Sequence, residues 1–130
     1  MALVLLDTSA VIAYLNPADA LHRRAIAALS AHQVEQLILP ASAYAEALVG
    51  PHRAGGAALA TFDEALAAIG IRVEPLNRNA ARRAGLLRSQ HAALRLPDAL
   101  VLATADELDA TTVLTGDAAW LKISTRVRIL

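Results

Sequence analysis

The amino-acid sequence predicts an α/β protein built on a parallel sheet with helices on both of its faces, a three-layer arrangement. Two observations carry this. Short, solidly apolar runs recur along the chain, as in Leu3–Leu6 and Leu37–Leu39, and stretches with helix-starting and helix-stopping signals separate them. Strands that are apolar at successive positions are buried on both faces, and strands separated by helices pair in parallel through right-handed crossovers. Hydrophobic residues also form 56% of the chain, much of it alanine and leucine, which suits close-packed helices and excludes a disordered polymer.

Taken in order, Leu3–Leu6 reads as the first strand, and Thr8 or Ser9 can cap a helix that runs to about Leu15, where Asn16-Pro17 stops it. A second helix is expected over 19–31, with Leu21, Ala25, Ala28 and Leu29 on one side. Leu37–Leu39 is the second strand; Pro40 and Ser42 open a helix over 41–49, which Gly50-Pro51 closes. The next helix follows Gly55-Gly56 and ends at Gly70, a C-terminal cap, before a third strand over 71–74. Asn77 or Asn79 caps an arginine-bearing helix. Pro97 suits the first turn of a nearly all-apolar helix to about Leu108, followed by a fourth strand over 112–115 and a fifth over 127–130.

At 130 residues the chain fits one domain, residues 1–130, without linker, repeat or low-complexity segment. With no cysteine, disulfides and thiolate metal sites are excluded, so any metal must be held by oxygen or imidazole ligands. No apolar stretch approaches a membrane span and the start lacks a basic signal-peptide region, so the expectation is a soluble, cytoplasmic protein. The formal net charge is zero, which leaves only local asymmetry to attract a polyanion. That asymmetry exists: six arginines face one acid between Arg72 and Arg95, whereas Ala99–Asp117 holds four acids and no base.

Ligand sites of open parallel sheets lie beyond the carboxyl ends of the strands, at the topological switch point. Asp7 ends the first strand and Asp117 follows the fourth; a switch point between those two strands sets them side by side. Glu46 in "ASAYAEALVG" and Asp98 in "RLPDALVLATA" are isolated acids in apolar helical contexts, and the early turns of their helices can reach the same edge. Like charges about 4 Å apart repel by roughly 4 kcal/mol at an effective dielectric near 20, so converging carboxylates need a cation. For oxygen donors without cysteine that cation is Mg²⁺ or Mn²⁺, which also suits phosphate chemistry. Each acid has a structural reading as well. Asp7 can cap the following helix, Asp98 can answer a helix dipole, Asp117 can be a turn residue, and Glu46 can face solvent. It is their joint placement at one end of one sheet that favours a functional reading.

"LDTSAVIAYL", "SAYAEAL", "LPDALVLATA" and "VLTGDAAW", in that order over essentially the whole chain, resemble the PIN-domain ribonucleases, in particular VapC toxins of prokaryotic toxin–antitoxin pairs. The resemblance implies a five-stranded parallel sheet in the order 3-2-1-4-5. It also implies metal ligation by Asp7, Glu46 and Asp98 with Asp117 as a fourth acid, and a site-orienting hydroxyl at Thr115, with Thr8 and Ser9 as weaker counterparts. It further implies metal-dependent hydrolysis of RNA to a 3′-hydroxyl and a 5′-phosphate, a homodimer, and a cognate antitoxin. All four acidic positions are intact; the scarcity of lysine, with Lys122 alone, is atypical.

Among the remaining residues, Arg78 and Arg82 share one helix face and Arg88 and Arg95 another, each pair suited equally to RNA backbone or to solvent. Arg83 falls on the apolar side, where pairing with an acid or a subunit contact is expected, and Arg23, Arg24 and Arg53 flank the proposed cleft. The four histidines lack metal-ligand spacing, and Trp120 and Phe62 read as core or interface residues. Two alternatives from other classes are a receiver-like signalling domain, which fits poorly because its lysine and acceptor aspartate are misplaced, and a non-catalytic binding subunit.

Overall fold

The structure, a computed structural model, describes residues 2–130. Strands β1 (Leu3–Leu6), β2 (Gln36–Pro40), β3 (Ile71–Glu74), β4 (Thr112–Thr115) and β5 (Val127–Ile129) form one sheet in the order β3-β2-β1-β4-β5. Every neighbouring pair is parallel, and Leu5 of β1 lies opposite Ile38 on one side and Val113 on the other. Successive strand residues face opposite sides, so the complete burial of Val4, Leu5 and Leu6 means that both faces of the central strand are covered. The outer strands depart from the expected solid apolarity. Arg72 in β3 and Arg128 in β5 are exposed, as edge positions allow.

The covering helices are α1 (Thr8–Leu15), α2 (His22–Ala31), α3 (Ala41–Ala47), α4 (Val49–Ala54), α5 (Gly56–Ile69), α6 (Arg78–Gln90) and α7 (Leu96–Glu107). A 3-10 turn at Ala118–Lys122, absent from the sequence expectations, precedes β5. From β1 the chain winds outward through β2 and β3, then returns to fill β4 and β5 on the other side. The switch point therefore lies between β1 and β4, where the loops after the two strands part. This order excludes the receiver-like alternative, whose sheet runs 2-1-3-4-5.

Local chemistry explains where element boundaries differ from those read off the sequence. Asp7, not Thr8 or Ser9, caps α1, its Oδ1 accepting the Thr8 N–H at 2.7 Å. The second helix starts at His22 rather than 19, because Asp19 turns the chain locally by accepting the Leu21 N–H. Gly50-Pro51 does not close a helix. The helix breaks at Leu48, and Pro51 sits in the first turn of α4, where a missing N–H costs nothing. Gly55, at φ 114°, is the actual stop. Gly70 caps α5 at φ 85° as expected, and of the two asparagines Asn77 caps α6, by accepting the Ala80 N–H at 2.8 Å.

Candidate functional site

Beyond the carboxyl ends of β1 and β4 lies a cavity of about 530 Å³ lined by Asp7, Glu46, Asp98 and Asp117 together with Thr8, Ser9, Arg95 and Trp120. Each carboxyl arrives by a different route. Asp7 follows directly on β1, and its backbone N–H donates to Leu114 O of β4, so the strand pairing itself sets its position. Asp98 lies in the first turn of α7, a helix whose Ala99, Val101, Leu102, Ala103 and Ala105 are all buried; its placement is as rigid as the core. Glu46 lies near the C-terminal end of α3, not in an early turn. Thr8 ties that helix to the site by donating its hydroxyl to Ala43 O at 3.1 Å. Asp117 is exposed at the rim and caps the 3-10 turn by accepting the Ala119 N–H.

A polar network holds Asp7. Its Oδ2 accepts the hydroxyls of Ser9 and Thr115, each at 2.9 Å, while Oδ1 accepts the Thr8 N–H. Thr115, wholly buried, in turn accepts the Asp117 N–H at 3.1 Å, and Ser9 Oγ accepts the Gly116 N–H at 3.0 Å. Both hydroxyl protons are thus committed to one carboxylate oxygen, and the loop after β4 is fastened to the loop after β1. Asp7 is only 8% exposed, and burial pushes its carboxyl above the usual range despite the three donors; the charge of Asp98 adds to the rise. Glu46 is pushed up as well, first by burial and then by Asp7, with Arg95 acting against the rise.

Asp98 has a protein partner. Arg95, the N-cap residue of α7, donates through Nε to Oδ2 at 3.2 Å and through Nη2 to Oδ1 at 3.1 Å. Among the described residues it is the one basic residue lining the cavity. Among the described residues, no three His, Asp or Glu side chains stand close enough together to hold a single ion as placed. The donor chemistry nonetheless fits a hard divalent cation, because the groups facing the cavity are carboxylates and hydroxyls, and two of the carboxyls are raised by burial and mutual repulsion. Asp7, Glu46, Asp98 and Asp117 are the residues that would hold it.

Of the residues singled out in the sequence, the four acids and Thr115 come together here, with Ser9 as a second hydroxyl on Asp7. Arg95 was legible only as a helix-face arginine; its three-residue spacing to Asp98 across Pro97 was the signal of a local pair. Trp120 is a core residue, 2% exposed, and also a wall of the cavity. Arg83 pairs with Asp106 and Arg88 donates to Ala92 O, while Arg78 and Arg82 are exposed on α6 away from the cavity.

An open parallel sheet with a carboxylate-lined cavity at its switch point defines the class, a doubly wound α/β protein whose chemistry sits at the carboxyl edge. Within that class the chain belongs to the PIN-domain family, whose family model matches residues 4–125. No curated protein sequence matches it. Among solved structures it is similar to a toxin–antitoxin complex from Klebsiella pneumoniae, at 24% identity and TM-score 0.75, with 96% of this chain and 95% of that chain covered. It is also similar to FitAcB from Neisseria gonorrhoeae, at 26% identity and TM-score 0.69, covering 88% of this chain and 87% of that one. A third similar structure is VapC20 of Mycobacterium tuberculosis, a toxin that cleaves the sarcin–ricin loop, at 20% identity and TM-score 0.75, covering 92% and 93%.

Proposed function

We propose that this PIN-family chain is a Mg²⁺- or Mn²⁺-dependent endoribonuclease, the toxin of a type II toxin–antitoxin pair, working as a single domain, as a homodimer and under control of a cognate antitoxin. The observation that carries the reading is the meeting of Asp7, Glu46, Asp98 and Asp117 in one cavity at the switch point, with Thr115 holding Asp7. The toxins and toxin–antitoxin complexes among the similar structures support it.

In this site, a divalent cation when bound would neutralise phosphate oxygens and lower the pKa of water. The chain's own residues do the rest. Thr115 and Ser9 keep the Asp7 carboxylate aimed into the cavity, with their protons spent on its inner oxygen. Glu46, raised by burial and by its acidic neighbours, lines the same cavity and would complete the cation site with Asp7 and Asp98. Asp117, exposed at the rim, faces incoming substrate. No covalent intermediate is required.

Purified protein incubated with RNA should cleave it in Mg²⁺ or Mn²⁺, stop cleaving in EDTA, and lose activity as Asp7→Asn or Asp98→Asn. Undiminished cleavage in all three conditions overturns the proposal. No heat of binding with millimolar Mn²⁺ would favour the non-catalytic alternative.

A further inference from the structure

We infer that Arg95 is a phosphate-binding residue of this cavity that serves as counter-ion to Asp98 when no cation is bound, and turns to the RNA backbone when a divalent cation takes that carboxylate. The inference rests on the nuclease reading above and adds a residue and an order of events to it.

Four observations carry it. Among the described residues, Arg95 is the one base lining a cavity that holds four acids. Its guanidinium engages both oxygens of Asp98, the two-pronged fork that arginine also presents to a phosphate. The pair is lopsided in exposure: the Arg95 side chain is 67% exposed and that of Asp98 only 13%, so the guanidinium reaches over the acid from the solvent side. Finally, Arg95 is the N-cap of α7, with extended backbone at φ −70° and ψ 151°, so its side chain lies outside the helix packing that fixes Asp98. The acid stands on a packed helical turn, and the base reaches it from the solvent side.

A divalent cation at Asp98 changes the local balance. Two positive groups then share one carboxylate, and the weaker hold, that of an exposed side chain, gives way. The released guanidinium remains beside the cavity mouth, where a phosphodiester placed between it and the cation is attracted by both. Arg95 therefore competes with the cation when RNA is absent and cooperates with it when RNA is present. A salt bridge serving only to fasten the start of α7 would compete with the cation but would not cooperate with it on RNA.

The test uses the full chain and compares wild type, Arg95→Gln and Arg95→Lys, with folding checked by circular dichroism. Calorimetric titration with Mn²⁺ alone should show Arg95→Gln binding about twofold to fivefold more tightly than wild type, the scale of an exposed ion pair removed. Fluorescence anisotropy with a short single-stranded RNA in Ca²⁺, the RNA verified intact on a gel, should show Arg95→Gln binding on the order of tenfold more weakly. Its dependence of log Kd on log salt should also be shallower by about 0.7. Arg95→Lys should keep the salt slope but not the full affinity, since lysine carries the charge without the fork. Unchanged or weaker Mn²⁺ binding in Arg95→Gln, or an unchanged RNA affinity and salt slope, overturns the inference. If wild type binds Mn²⁺ and cleaves RNA while Arg95→Gln matches it in both titrations, only the role of Arg95 falls. If wild type neither binds Mn²⁺ nor cleaves RNA, the reading of the cavity falls and takes this inference with it.

Discussion

Replacing Thr115 by valine removes one hydroxyl and leaves the side-chain shape, at a position with no solvent exposure. The hydroxyl makes two bonds, donating to Asp7 Oδ2 and accepting the Asp117 N–H. A hydrogen bond to a charged group contributes roughly 1.5–3 kcal/mol, and Asp7 keeps its Thr8 and Ser9 donors, so a loss of about 2 kcal/mol is expected at neutral pH. With an unfolding entropy near 2.1 cal/mol/K per residue, about 270 cal/mol/K for this chain, the melting temperature should fall by about 7 °C. The loss should depend on pH. Burial holds Asp7 above its ordinary value of 3.8, so its contribution to stability is complete below 3.8 and is lost as pH rises through the raised folded value. The Thr115 bond is the leading influence that lowers Asp7, and without it the folded value climbs further. The gap between wild type and Thr115→Val should therefore be widest at neutral pH and narrow as pH falls toward 3.8. Thermal melts of metal-free protein at a series of pH values measure this, with Thr115→Ser as the variant that restores the hydroxyl. An equal loss at every pH, or no loss, refutes the assignment of Thr115 as a donor to a charged Asp7.

Four further outcomes follow from the same structure. Asp7→Asn removes the titrating carboxyl that Thr8, Ser9 and Thr115 hold, so melts of metal-free protein should show a flatter pH profile than wild type, and calorimetry should show Mn²⁺ binding lost. Saturating Mn²⁺ should stabilise wild type by about 2.7 kcal/mol at one hundred times its Kd, and addition of EDTA should return the melt to its starting value. Asn77→Ala deletes the cap of α6 and should cost about 1 kcal/mol, read by urea titration as a lower midpoint with an unchanged slope. Gly70→Ala meets no neighbouring atom, so its cost of about 1 kcal/mol should come solely from the positive φ; Gly56→Ala, also free of neighbours and without a positive φ, is the control that should lose nothing.

The strands were legible because a buried parallel sheet leaves an unmistakable trace, consecutive apolar residues bounded by turn formers, and Leu3–Leu6 and Leu37–Leu39 carry it plainly. The helix limits were less so, because the same residue types serve opposite ends. Asp19 looked like a helix start and makes a local turn, and Gly50-Pro51 looked like a stop and lies in a first turn. Which reading holds is decided by whether the next helix can reach its packing partner, and that information lies in residues far along the chain. The 3-10 turn at Ala118–Lys122 has no periodicity long enough to announce it.

For the site, the difference between what was legible and what was not has a single physical root. An acid set among apolar neighbours at one edge of a sheet is costly unless something answers it, and such costs stand out along the chain; this is why Asp7, Glu46, Asp98 and Asp117 could be named from the chain alone. The groups that answer them cost little and leave a weaker mark. Thr115, with Ser9 as its weaker counterpart, is marked in the sequence by the family resemblance alone, and that both hydroxyls meet on the same oxygen of Asp7 is visible only in the fold. Arg95 looks like one of six arginines until both oxygens of Asp98 are found on its guanidinium. The protein uses its local hydroxyl and N–H donors on Asp7 and Arg95 on Asp98, yet Asp7 and Glu46 still sit above the usual carboxylate range. The chain's own residues leave that excess of negative charge unanswered, and this is the physical ground for expecting the remaining partner, a hard divalent cation, from solution.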